Sequence, residues 1–355
     1  MAEQVRVRSA VDAIEEYRAG KSAPAGAFKL SSNENPYPPL PAVVAAIHDA
    51  ASSVNRYPDF GAAPLIEGIA QHHDVGTDTV ALGAGSVALL AQIIQVTVSG
   101  GDEVVLPWRS FEAYPILIQL SGATAVRVPL KTDHSHDLEA MANALTSRTR
   151  LVLLCSPNNP TGAVLPRTEL EAFLSRVGVS TVVVLDEAYV DFVNPADRID
   201  SLVLLRTHPN LILLRTFSKA YGLAGLRVGY AIAQPKLAST LRKAATPFGV
   251  TNLAQQAALA SLSSQSDLVT RTNQLSVERD RVQTALEQSP VDSPRSHGNF
   301  VWLALGKDSE AFGEACSEAG VTVRIFGGEG VRVTIGEPEA NDRFLGVAER
   351  FAATE

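Results

Sequence analysis

The sequence predicts an α/β fold: a large unit with a mostly parallel seven-stranded sheet sandwiched by helices, followed by a smaller α+β unit. Three observations carry this prediction. Short apolar, β-branched runs alternate with longer stretches of helical spacing between about residues 79 and 232. Several of those runs are apolar at consecutive positions, as strands buried on both faces of a parallel sheet require. After Gly249 the pattern changes to paired helices followed by a second set of strands, which marks a separate layer.

Taken in order, residues 1–30 form an arm with little pattern of their own. The strands of the large sheet fall at 80–82, 104–106, 125–128, 151–155, 182–185, 211–214 and 228–232, with helical stretches such as 86–98 and 167–176 between them. Residues 253–262 and 268–286 read as helices. Strands of a smaller sheet follow at 299–305, 322–325 and 330–335, with helices at 309–319 and 339–352. The expected organisation is an arm at 1–30, a large domain at 31–250 and a small C-terminal domain at 251–355.

The composition bounds the function. The chain has 355 residues, 46% hydrophobic and 19% charged, which excludes a disordered polymer and leaves ample material for a core. No apolar run approaches the ~18–20 residues a membrane helix needs, and no apolar segment near the N-terminus resembles a secretory signal. A net charge of −8 without any Lys/Arg-rich block disfavours nucleic-acid and anionic-membrane surfaces. The two cysteines, Cys155 and Cys316, cannot build a disulfide framework and point to a reducing cytoplasm. Arginine outnumbers lysine 23 to seven, so a lysine set in a dense small-residue motif is conspicuous.

Such a lysine is Lys219, in Thr216-Phe-Ser-Lys219-Ala-Tyr-Gly-Leu-Ala-Gly-Leu-Arg227. It lies just beyond a strand end, where α/β folds place ligands. Flanking hydroxyls and an arginine eight residues on suit a Schiff base beside a bound phosphate. Gly83-Ala84-Gly85-Ser86-Val-Ala88 opens a helix after the first strand; such a turn closes on a phosphate and offers it helix N–H groups. The same residues fit a dinucleotide fingerprint, but Asp102 and Glu103 stand at the wrong end of the next strand for it. Ser156-Pro-Asn158-Asn159-Pro-Thr-Gly162 and Asp186-Glu187-Ala-Tyr189 each follow a buried strand. The former reads on its own as a turn. An acid at the end of a buried strand needs a cationic partner, and a protonated pyridine nitrogen would be one. His72-His73 and His134-x-His136 lack ligands at metal spacing and read as surface histidines.

Together these motifs resemble the fold-type I pyridoxal-phosphate aminotransferases, in the histidinol-phosphate aminotransferase-like branch. The resemblance runs from Leu30-Ser-Ser-Asn-Glu-Asn-Pro36 to Val331-Arg332-Val-Thr-Ile-Gly336. Within the branch, Gly85-Ser-Val-Ala-Leu-Leu and Trp108-Arg-Ser-Phe-Glu-Ala-Tyr look most like the actinobacterial aromatic amino acid aminotransferases. The resemblance implies pyridoxal 5'-phosphate as cofactor, with Lys219 as Schiff-base lysine and general base and Asp186 on the pyridine nitrogen. It implies Asn159 and Tyr189 on the ring's phenolic oxygen, and Phe111 stacked on the ring. Ala84, Gly85, Ser86, Thr216, Ser218 and Arg227 would hold the phosphate, and Arg332 the substrate α-carboxylate, a bidentate task suited to arginine. Tyr57 would reach the phosphate of the other subunit of a homodimer. Asn35 would line the substrate cleft, and Tyr17 and Arg324 would line the side-chain pocket.

The implied reaction moves amino groups between aromatic amino acids and 2-oxoglutarate. The alternative is the same chemistry on histidinol phosphate, for which Tyr17 and Arg324 would hold the substrate phosphate. A carboxylate clamp at Arg332 favours transamination over decarboxylation or β-elimination. A nicotinamide-dependent oxidoreductase would leave Lys219 without a role.

Overall fold

The computed structural model describes residues 8–12, 14, 20 and 23–352. Twelve strands are present among them: β1 (Phe28–Lys29), β2 (Val80–Gly83), β3 (Glu103–Trp108), β4 (Thr124–Pro129), β5 (Thr149–Cys155), β6 (Val182–Asp186), β7 (Leu211–Thr216), β8 (Gly229–Ala233), β9 (Phe300–Leu303), β10 (Val321–Thr322), β11 (Arg324–Phe326) and β12 (Gly330–Thr334).

Seven of them form one sheet in the order β2-β8-β7-β6-β5-β3-β4. All neighbours run parallel except β8, which is antiparallel to both β2 and β7. The runs expected from the sequence are these strands, each within a residue or two of its boundary. Their continuous apolar character has a direct cause. Successive side chains of a strand point to opposite faces, and here both faces are covered. Val105, Val152, Leu154, Val183 and Leu185 pack into one core cluster; Val104, Leu106, Leu151, Leu153 and Val184 pack into the other. Edge strand β4 is the exception, with most of its residues at least partly exposed, as an edge permits.

The carboxyl ends of β2, β3, β5, β6 and β7 meet at one edge of this sheet. Facing it is a small antiparallel sheet in the order β11-β12-β9, backed by helices Gln265–Glu287, Ser309–Glu318 and Pro338–Ala352. Helix Asn252–Leu262 instead packs on helices Pro41–Ala51 and Ala63–His73.

The end of the expected N-terminal arm is not independent of the rest. β1 pairs in parallel with β10. Leu30 N donates to Thr322 O (2.8 Å), Thr334 N to Leu30 O (2.9 Å) and Asn33 N to Thr334 Oγ1 (2.8 Å). Residues 28–33 are thereby laced onto β10, in a two-stranded sheet of its own, and onto β12, and are delivered to the gap in front of the large sheet. No helix among the described residues is long and apolar enough to cross a membrane.

Candidate active site

A cavity of about 210 Å³ fills that gap. Lys219 borders it on the segment that follows β7. Its Nζ donates to Ser32 O (3.1 Å) and lies 5.7 Å from the centroid of the Tyr189 ring. Burial, reinforced by the positive charges of Arg332, Arg227 and Lys29, lowers its pKa to about 7 against the pull of Glu34. The amine is therefore substantially neutral near physiological pH, the form in which a lysine is nucleophilic.

Asp186 ends β6 with only 6% of its surface exposed. Tyr114 Oη donates to its Oδ2 (2.7 Å) and Ala188 N to its Oδ1 (3.1 Å). Burial raises its pKa to about 6, opposed by those two hydrogen bonds. A buried carboxylate held in this way is completed by a cation on its open side. Tyr189 Oη accepts from Asn33 Nδ2 (2.9 Å) and keeps its own proton for a cavity acceptor, since burial raises its pKa. Asn159 Oδ1 accepts from Arg332, which commits the oxygen and leaves the NH₂ group to serve an acceptor. Its neighbour Asn158 is wholly structural: it accepts from Ser110 Oγ (2.7 Å) and donates to Arg109 O (3.1 Å) and Thr161 Oγ1 (3.0 Å).

The anion cradle is built at the mouth of helix Ser86–Thr97, whose N-terminus has no side-chain cap. Gly85 precedes it at φ +84°, a conformation that calls for glycine, and a Cβ there would push aside the Arg227 guanidinium that the cradle needs. Gly229 permits the close approach of β8 beneath the turn, because a Cβ on it would sit 2.7 Å from Ser86 N. Arg227 Nη1 donates to Ser218 Oγ (3.2 Å), and Ser218 N donates to Thr216 Oγ1 (3.1 Å). Ser86, Thr216, Ser218 and Arg227 border the cavity, whereas Ala84 and Gly85 shape the turn behind it.

Phe111 borders the cavity and meets Tyr114 edge-on at 5.5 Å. Arg332, on β12, is buried and also donates to Ser31 O (2.8 Å). Arg324 stands directly opposite it on β11.

Other expectations meet a different geometry. Arg324 borders the cavity, but as half of an ion pair: its Nη2 reaches both oxygens of Glu112 (2.9 and 2.8 Å). Asn35 lies outside the cavity lining; it donates to Ala220 O (3.0 Å) and accepts from Tyr37 N (3.0 Å), shaping the Lys219 loop from behind. Tyr57, expected at the phosphate of the other subunit, does not border this chain's own cavity and is 82% exposed. Tyr17 lies outside the described residues. The histidines are not uniformly at the surface. His72 is exposed, but His73 Nε2 lies 2.8 Å from Tyr230 Oη and His136 is buried. Burial lowers the pKa of His136 to about 4 and, with the charges of Arg215 and His72, that of His73 to about 3. Both are neutral packing residues. Among the described residues no group of three His, Cys, Asp or Glu side chains could hold a metal.

Asn33, Glu112 and Tyr114 are site residues without an assignment from sequence. Glu112 and Tyr114 stand in the Trp108–Tyr114 motif but served there only as a resemblance. Asn33 differs from Asn35 by no local signal.

A reactive lysine, a buried strand-end carboxylate and an uncapped helix N-terminus around one ring-sized slot define a transferase that works through an aromatic phosphate cofactor. The donor set suits such a group: a carboxylate for a ring cation, amide and phenol donors for a ring oxygen, and hydroxyls with arginine for a phosphate. The chain belongs to the family of class I and II aminotransferases, whose model matches residues 25–347. It is 53% identical over 349 residues to an aromatic amino acid aminotransferase of Streptomyces coelicolor, covering 98% of this chain and 97% of that one. It is 50% identical over 340 residues to the protein of the same name from Mycobacteroides abscessus, with 96% and 97% covered. Among solved structures, a histidinol-phosphate aminotransferase from Sinorhizobium meliloti in complex with pyridoxal 5'-phosphate matches with TM-score 0.89, 28% identity and 99% of each chain covered.

Proposed function

We propose that this aminotransferase exchanges amino groups between aromatic amino acids and 2-oxoglutarate, yielding aromatic 2-oxo acids and glutamate, with pyridoxal 5'-phosphate as cofactor. The observation that carries the reading is the convergence of Lys219, Asp186 and Arg332 on one cavity, in a chain half identical to aromatic relatives over nearly its whole length. When bound, the cofactor supplies an electrophilic carbon and a ring that accepts the electron pair left by the departing α-proton. Lys219 holds the cofactor and then carries that proton on Nζ. Asp186 would keep the ring nitrogen protonated, and Tyr189 and Asn159 would donate to the ring oxygen. Arg332 forks onto the α-carboxylate, which stays on the substrate. Phe111 would cover one face of the ring, and Ser86, Ser218 and Arg227 would take the phosphate.

The reaction is assigned to the cytoplasm, in keeping with free, buried thiols at Cys155 and Cys316. Ranking amino donors by kcat/KM with 2-oxoglutarate tests the substrate. Phenylalanine, tyrosine or tryptophan should exceed histidinol phosphate by at least about tenfold, ~1.4 kcal/mol of transition-state preference. The reverse ranking would move the enzyme to histidinol phosphate while leaving the cofactor residues in place.

The working form is a homodimer in which Tyr57 completes the partner's phosphate cradle. Tyr57 stacks on Phe248 (4.6 Å), and Phe60 meets the same ring at 5.5 Å. All three rings are exposed, and such a patch suits burial against a second copy. Mixing Lys219→Ala with Tyr57→Phe subunits tests the sharing. Random exchange puts both lesions in one site of each heterodimer and frees the other, restoring about one-quarter of wild-type activity. No gain over the parents, once exchange is demonstrated, would place Tyr57 in its own chain's service.

A further inference from the structure

Arg324 and Arg332 are directly opposite across the antiparallel pair β11–β12, and both border the cavity. Opposite residues of such a pair share a face with Cβ atoms roughly 5 Å apart. Their guanidinium carbons lie 5.6 and 5.9 Å from the centroid of the same ring, Phe326. Two adjacent guanidiniums would form a strong receptor for a phosphate dianion, since each can fork onto phosphate oxygens. Arg332 is held by neutral acceptors, Asn159 Oδ1 and Ser31 O, whereas Arg324 is already paired with a counter-charge. Glu112, at the start of helix Ala113–Ser121, sets both carboxylate oxygens on Arg324 Nη2. The pair is largely shielded, with 14% of the arginine and 30% of the glutamate side chain exposed.

We propose that Glu112 is a specificity-determining residue that limits the anion this clamp accepts. A substrate α-carboxylate, a monoanion, is served by Arg332. Histidinol phosphate carries a bulkier phosphate ester where an amino acid carries that carboxylate. Its dianion would have to take Arg324 from Glu112 and then face an unpaired carboxylate across the cavity. Discrimination of this kind works by repelling the wrong ligand as much as by holding the right one. The inference rests on the aromatic reading above and adds to it the residue that enforces it.

The test is steady-state kinetics of holoenzyme carrying Glu112→Gln, which keeps the shape and removes the charge, beside Glu112→Asp, which keeps the charge. In Glu112→Gln the ratio of kcat/KM for histidinol phosphate to that for phenylalanine should rise at least about tenfold over wild type. Inorganic phosphate should become a tighter competitive inhibitor against phenylalanine by a similar factor. Glu112→Asp should stay closer to wild type in both measurements. An unchanged ratio and unchanged phosphate inhibition in a Glu112→Gln enzyme that retains its cofactor and its Tm would overturn the proposal. Should Glu112→Gln fail to fold, inorganic phosphate inhibition of Glu112→Ala decides in the same way. A wild-type enzyme that itself prefers histidinol phosphate would instead sink the aromatic reading, a result separate from the variant-to-wild-type ratio.

Discussion

Replacing Lys219 with alanine should lower transamination by about 10³-fold or more, ~4 kcal/mol of transition-state stabilisation, because the proton carrier is gone. The variant should still retain some pyridoxal phosphate, since Asp186 and the cradle of Ser86, Ser218 and Arg227 remain. Borohydride should fix the cofactor covalently on Lys219 of the yellow wild-type enzyme and on nothing in the variant. Full activity in Lys219→Ala would end the assignment. The lowered pKa adds a pH signature. With a value of about 7, the amine at pH 8 is roughly 90% neutral, whereas an ordinary lysine is well under about 1% neutral there. Capture of pyridoxal phosphate by the apoenzyme should therefore accelerate between pH 6 and 8 and flatten above. Continued acceleration to pH 10 would mean that Lys219 titrates as an exposed side chain.

Much of this architecture is legible in the sequence because its signals are local. Runs such as residues 182–185 are apolar throughout, since alternate residues feed two separate cores. The motifs of Lys219, Asp186 and Asn159 each follow such a run directly, so the strand end that positions them is visible beside them. The uncapped helix after β2 is announced in the same way by Gly83 and Gly85.

What the sequence conceals is long-range pairing. Glu112 and Arg324 are 212 positions apart, and only the facing of the two sheets brings them together. Arg324 reads from sequence as a cation open to substrate; the fold gives it a carboxylate first. Asn33 and Asn35 look alike, but the lacing of residues 28–33 onto β10 and β12 sends only Asn33 to Tyr189. Tyr114 sits among apolar residues of its helix and has the pattern of a core side chain, which it also is, with 0% exposure. Its hydroxyl nevertheless ends on Asp186, a contact that spacing alone does not announce.

The second large effect belongs to Asp186. Asp186→Ala should weaken cofactor binding and lower turnover by on the order of 10³-fold together, because the charge that keeps the ring nitrogen protonated is removed. Intact turnover in that variant would reduce the carboxylate to a structural partner of Tyr114. The apoenzyme carries an independent signature. The folded pKa, about 6, lies above the ordinary 3.8, so the folded chain holds this proton more tightly than the unfolded chain does. The stability this contributes is fully present below the unfolded value and is lost as pH rises through about 6. Without cofactor, Asp186→Asn should therefore gain Tm relative to wild type between pH 5 and pH 8, since it has no charge to bury. Adding pyridoxal phosphate at pH 8 should reverse the order, because the protonated ring nitrogen then pairs with the wild-type carboxylate and not with the amide. If the apo difference does not change with pH, Asp186 is solvated in the empty site and its burial exerts no such control. If cofactor stabilises both proteins equally at pH 8, the carboxylate is not its ring partner.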